Sequence, residues 1–143
     1  MTEATWKRML VLFEENERRF ADMAPAPAMP KAKLCRESSH RTLGHLTACQ
    51  AAWLPLMQQL RAGEPRGSVP INPDPLFTKL GFSTAAWETL LGRFLSERGE
   101  WRSILQQVDL DLEIRTVRRV HTARTLTKRL VEHEKRHLDN LTG

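Results

Sequence analysis

A chain of 143 residues with 41% hydrophobic residues can bury a core without disulfides or a structural metal, so any metal it holds serves function rather than folding. Cys35 and Cys49 lack the number and spacing of a disulfide framework, the first residues form no continuous apolar targeting segment, and no run approaches the ~20 apolar residues of a membrane span. The expectation is one soluble, cytoplasmic domain over residues 1–143, with a net charge of +5 that sits unevenly: eight Lys or Arg between Arg115 and Arg136 face only Glu132 and Glu134.

The first helix is predicted near 3–23, where Trp6, Met9, Leu10, Phe13 and Phe20 recur at three-to-four spacing and the charged residues fall elsewhere. Three prolines in residues 24–30 end it in an extended linker. The second helix is predicted near 40–61, capped by the small hydroxyl residues of 38–42, with Leu46, Cys49, Trp53, Leu56, Met57 and Leu60 as its apolar stripe and a kink at Pro55. Residues 61–81, with four prolines and three glycines, read as a long irregular loop of the kind that often covers a site.

The third helix, near 83–107, is expected to start at a Ser83 cap, with Phe82 and Trp87 as a hydrophobic staple and Leu90, Leu91, Phe94, Trp101, Ile104 and Leu105 continuing the face. Val108, Leu110, Leu112 and Ile114 then alternate with acids, which predicts a short extended connection, and no partner run for a sheet is evident. The last helix is predicted near 122–141 from a Thr122 cap, with Leu126, Leu130, His133, His137 and Leu141 facing inward. Its basic cluster could meet nucleic acid, an acidic partner or an anionic substrate. No aromatic residues interleave the cations and no nucleic-acid motif accompanies them, so the plainer reading is a solvated helix face, without nucleic acid as a partner. Four amphipathic stripes need one another for burial, which predicts an all-α four-helix bundle whose four tryptophans fill the core.

His133 and His137 are the residues that bear chemistry. At i and i+4 they share one helix face, and both imidazoles can reach one ion. The string His133-Glu134-Lys135-Arg136-His137 also spells the zinc-peptidase motif, in which Glu134 would be the base. That mechanism needs a third ligand farther along, and only residues 138–143 follow, with Asp139 at the wrong angle; Glu134 therefore reads as solvated or paired with Lys128 or Arg129. The third candidate ligand is His45, at the border of the second stripe, beside a Gly44 that permits close approach of a neighbour. Three histidines on two helices leave coordination positions open for water or substrate. The plain alternative is a set of histidines packed in a core without metal. His40 and His121, next to helix starts, read as ordinary polar residues. The absence of tyrosine excludes a phenolic acid or base, and neither a nucleophile triad nor a phosphate-cradling glycine loop is recognisable.

Thr42-Leu43-Gly44-His45-Leu46 on a second helix, followed by His133-x-x-x-His137 on a fourth, resembles the DinB-like (DinB/YfiT) superfamily of bacterial four-helix bundles over nearly the whole chain. The resemblance implies an up-down four-helix bundle and a divalent metal, zinc or nickel, on His45, His133 and His137. It also implies a homodimer. One residue departs: many relatives carry an acid one turn after the first histidine, and here Cys49 stands there, as a fourth ligand, a reactive thiol or a small buried apolar residue. The activities implied are those of a metal-dependent hydrolase or of a transferase joining low-molecular-weight thiols to electrophiles, with no further catalytic residue identified. The competing function is a non-catalytic metal- or partner-binding stress-response bundle that uses its basic last helix.

Overall fold

The computed structural model describes residues 1–28, 38–64, 66–67 and 72–142. Four long helices form, in chain order α1 (Glu3–Asp22), α2 (Ser39–Arg61), α4 (Trp87–Gln107) and α5 (Ala123–Thr142), with a short α3 (Pro73–Lys79) between α2 and α4. Each of α1 and α2 packs against both α4 and α5, so the order around the bundle is α1, α4, α2, α5 and the consecutive helices α1 and α2 lie diagonally. Among the described residues no helix is long and apolar enough to cross a membrane.

The helix starts follow capping chemistry. Thr2 accepts from the Thr5 N–H, Ser38 from the Arg41 N–H, and Thr122 from the Thr125 N–H, each satisfying a backbone donor that the first turn leaves open. Thr125 returns the favour by accepting from the Thr122 N–H at 2.8 Å. α2 runs through Pro55 without ending.

Three expectations fail. Ser83 does not cap α4: the N-cap is Ala86, without a side-chain bond, because residues 81–85 are held in a turn by the Thr84 and Ala85 N–H groups on the Gly81 carbonyl, and His40 Nε2 lies 2.6 Å from the Ala85 oxygen. Gly81 takes φ +70°, which suits glycine at this bend. Phe82 and Trp87 are nevertheless both buried in one cluster. Residues 61–81 are not wholly irregular. Asn72 caps α3 and Pro73 occupies its first turn, where a missing N–H costs nothing. The alternation at 108–114 is not one extended run, since Asp109 Oδ1 accepts from the Asp111 N–H in a side-chain turn. A partner for its end exists: β1 (Ile114–Arg115) pairs antiparallel with β2 (Val120–His121). Cys35 and part of the 24–30 linker lie outside the described residues.

The core comes in two apolar clusters. One gathers Trp6, Phe13, Trp53, Trp101 and Leu126 with their neighbours, the other Phe20, Leu43, Trp87, Phe94 and Leu138 with theirs. The buried polar side chains include Asn16 on α1, Gln50 on α2, Arg98 on α4 and Glu134 on α5. Arg98 and Glu134, both fully buried, form an ion pair across the bundle, and Asn16 Nδ2 donates to Glu134 Oε1 at 3.2 Å and to the Val131 carbonyl at 3.1 Å. The guanidinium carbon lies 4.4 Å from the Phe13 ring centre and 4.9 Å from that of Phe94, so aromatic faces take the place of water around it. Glu134 is thus neither solvated nor paired with Lys128 or Arg129. Its position on α5 points inward, and Lys128 instead binds Glu132 at 2.6 Å.

Removing one partner strands a charge in the core. Arg98→Met is expected to cost about 3–5 kcal/mol, whereas Arg98→Met combined with Glu134→Met should recover most of that loss. Urea unfolding midpoints of the two variants check this, and equal losses in both would show that the pair contributes packing alone.

Candidate metal centre

The centre lies on the seam between α2 and α5, beside the polar layer. Glu134 faces the middle of the bundle, and residues one position before and three after it, His133 and His137, turn toward α2. On α2, His45 and Cys49 are one turn apart and meet them. The ring centroids are separated by 5.3 Å for His45 and His133, 5.0 Å for His45 and His137, and 4.7 Å for His133 and His137. The structure therefore brings all three histidines expected from the sequence to one place.

The Nε2 atoms of His133 and His137 stand 3.2 Å apart. Two nitrogens bound to one ion at roughly 2.1 Å are separated by roughly this distance, so the pair fits a shared cation without rearrangement of the helix. Cys49 Sγ lies 3.7 Å from His45 Nε2, and donor atoms of His45, Cys49 and His133 all lie within 4.8 Å of one another. His133 Nδ1 is buried with no hydrogen-bond partner among the described residues. This donor set of imidazoles with an adjacent sulfur suits a borderline-soft divalent ion.

Burial lowers the pKa of His45, and His137 lowers it further, against the pull of Asp74. His133 is pushed down to about 4, first by burial and then by His137, His45, Arg136 and Arg129. Both rings are neutral near pH 7, the form that binds metal. Cys49, 1% exposed, has its thiol pushed up to about 12 by burial and by the negative charges of Glu134 and Asp74. Of the three roles left open for Cys49, that of a reactive thiol is disfavoured in the metal-free protein.

Two supporting groups, Asp74 and Arg98, are not evident from the sequence. Asp74 acts on His45 and Cys49 from α3, a helix whose Asn72-Pro73 start was a legible cap signal within a segment taken as irregular. Gly44 admits α3: a Cβ there would lie 2.8 Å from the Phe77 ring, so the glycine permits a close neighbour, here a side chain. Arg98 carried no readable signal, because a lone arginine in an amphipathic helix looks solvated. Trp53 flanks His133, ring centres 6.0 Å apart, and carries the Arg129 guanidinium on its face at 5.1 Å.

Over residues 1–140 the sequence matches the model of the DinB superfamily. The chain belongs to this superfamily. A solved structure, YfiT from Bacillus subtilis, superposes with a TM-score of 0.77 over 99% of this chain and 86% of that chain, at 12% identity. YfiT is described as a probable metal-dependent hydrolase with an unusual four-helix bundle topology. At that identity the likeness shows a shared DinB-type fold. No curated protein matches the chain significantly.

Two outcomes follow for the metal-free protein. The unfolded chain takes protons on these imidazoles near pH 6.5 and the folded one only below that, so acid favours unfolding. Stability is full above about pH 6.5 and falls as pH drops toward about 4. Denaturant midpoints at about pH 7.5 and about pH 5 should show this fall, with a smaller difference in His133→Gln. Cys49 should resist iodoacetamide in the folded protein at about pH 8 and react once unfolded, read by mass spectrometry of its peptide.

Proposed function

We propose that this chain is a divalent-metal-dependent enzyme in which His45, His133 and His137 hold one ion, zinc or nickel, and leave a coordination position open to a nucleophile. The observation that carries the proposal is the convergence of three imidazoles from two helices, two of them kept neutral, on the seam between α2 and α5. Membership of the DinB superfamily and the likeness to YfiT, a probable metal-dependent hydrolase, support the same reading. A bound ion would lower the pKa of water or of a substrate thiol, which makes a hydrolase or a low-molecular-weight thiol transferase the reaction class.

The protein's own residues divide the work. α5 fixes His133 and His137 through the Glu134–Arg98 pair inside, so their direction does not depend on the ion. His45 closes the set from α2, and Cys49 beside it stays protonated, either as an added ligand once a metal displaces its proton or as a filler of the seam. Glu134 is engaged by Arg98 and Asn16 and is not free to take a proton from water. Trp53 covers one side of His133 and limits water there.

Metal analysis with equilibrium titration tests the proposal. The wild type should bind one divalent ion per chain. Each of His45→Ala, His133→Ala and His137→Ala should weaken binding by more than about 100-fold while leaving the circular dichroism helical, because apolar packing holds the bundle. Turnover of ester, amide and thiol–electrophile substrates should fall in parallel. Wild-type metal affinity in His45→Ala would remove the three-histidine site.

A further inference from the structure

The strongest feature outside the histidine seam is a cleft of about 750 Å³ between the β1–β2 hairpin, the outer face of α5 and Leu12 of α1. Five cations line it: Arg119, Lys128, Arg129, Lys135 and Arg136. Glu132 is the one acid in the lining, and it is already bound to Lys128 at 2.6 Å; Lys135 is bound to Asp139 at 2.5 Å. Arg119, Arg129 and Arg136 form no ion pair among the described residues. The three guanidiniums, exposed to solvent, concentrate positive charge in one concavity without counter-charge.

A second, independent observation marks the same place. His121 lines the cleft from β2, is 5% exposed, and has a buried Nε2 with no hydrogen-bond partner among the described residues. Burial and the charges of Arg129 and Arg119 lower its pKa. An unpartnered ring nitrogen on a residue of the cleft wall can donate to a ligand oxygen.

We propose that this cleft is a binding site for a small polyanion of the phosphate-ester or diphosphate class, gripped by Arg119, Arg129 and Arg136 and bonded by His121 Nε2. Guanidinium forks match phosphate oxygens, and the volume is that of a small-molecule pocket. A concave site with no phenylalanine, tyrosine or tryptophan in its lining suits a compact anion better than a nucleic-acid strand, which needs stacking platforms or a long stripe. Arg129 lies on Trp53, which adjoins His133, so the site borders the histidine seam but draws none of its contacts from it.

Inorganic pyrophosphate is the probe, with orthophosphate as the weaker analogue, in calorimetric titrations at low and physiological salt. Pyrophosphate is expected to bind one per chain, at least about tenfold tighter than orthophosphate, and to shift the His121 ring resonances in NMR. Arg119→Gln with Arg136→Gln, both exposed and so compatible with folding, should weaken binding by about tenfold or more. His45→Ala should retain wild-type affinity. Loss of binding in His45→Ala would place the anion on a metal in the seam and overturn the proposal. It would equally be overturned by the absence of a saturable heat, as when a second copy covers the cleft, by binding indifferent to the double variant, or by a short DNA duplex that binds more tightly with the same dependence on Arg119 and Arg136.

Discussion

A single buried ion pair, Arg98 with Glu134, sets the rotation of α5 and with it the direction of His133 and His137 on that helix. Helices α4 and α5 lie on a diagonal of the bundle and make little backbone contact, so only long side chains can join them through the centre. Arg98 does this, and Trp101 adds a second link by donating its Nε1 hydrogen to Thr127 at 3.0 Å. Asn16 brings α1 into the same network. The desolvation cost of two charges in a core is several kcal/mol per ion, and mutual attraction, the Asn16 bond and two phenylalanine faces offset it. An apolar layer of equal volume could pack at several rotations of α5. The charge pair joined across the centre favours one, while Arg98 Nε and Nη1 have no hydrogen-bond partner among the described residues.

The histidine seam inherits that selection. With Glu134 fixed inward, helical spacing places His133 and His137 toward α2, where His45 and Cys49 sit one turn apart. Glu134 then has two effects on its surroundings: it anchors α5, and its charge helps keep the Cys49 thiol protonated. The outer face of the same helix carries Lys128, Arg129, Glu132 and Arg136. One helix therefore presents three different surfaces, a structural carboxylate inside, imidazoles at the seam and guanidiniums outside, and the period of 3.6 residues separates them.

The charged letters of His133-Glu134-Lys135-Arg136-His137 show how a motif can be spelled correctly and work differently. The peptidase string assigns the glutamate to water activation, but in this helix the glutamate points into the centre of the bundle and belongs to Arg98. The bundle, in which α5 is covered by α1 and α2, decides its environment.

Much was legible from the chain. Amphipathic spacing located the four long helices and their buried tryptophans, hydroxyl caps at Ser38 and Thr122 located two starts, and the order of His45, His133 and His137 identified the residues that gather at the seam. These are local properties, written in intervals of three, four and seven residues. Other features depended on residues distant in sequence. Arg98 and Glu134 are 36 positions apart, Asn16 and Glu134 are 118 apart, and neither separation leaves a pattern in one sequence. The start of α4 yielded to a turn held by Gly81 and His40, the β1–β2 pair became visible only once the chain had turned, and α3 gained its place from Phe77 against Gly44. Sequence alone is enough to mark which faces are apolar and which imidazoles share a helix face, because both follow from residue type and helical period. Tertiary structure alone decided which charges are buried, which are paired and which line a cleft, because those depend on what arrives from the other helices.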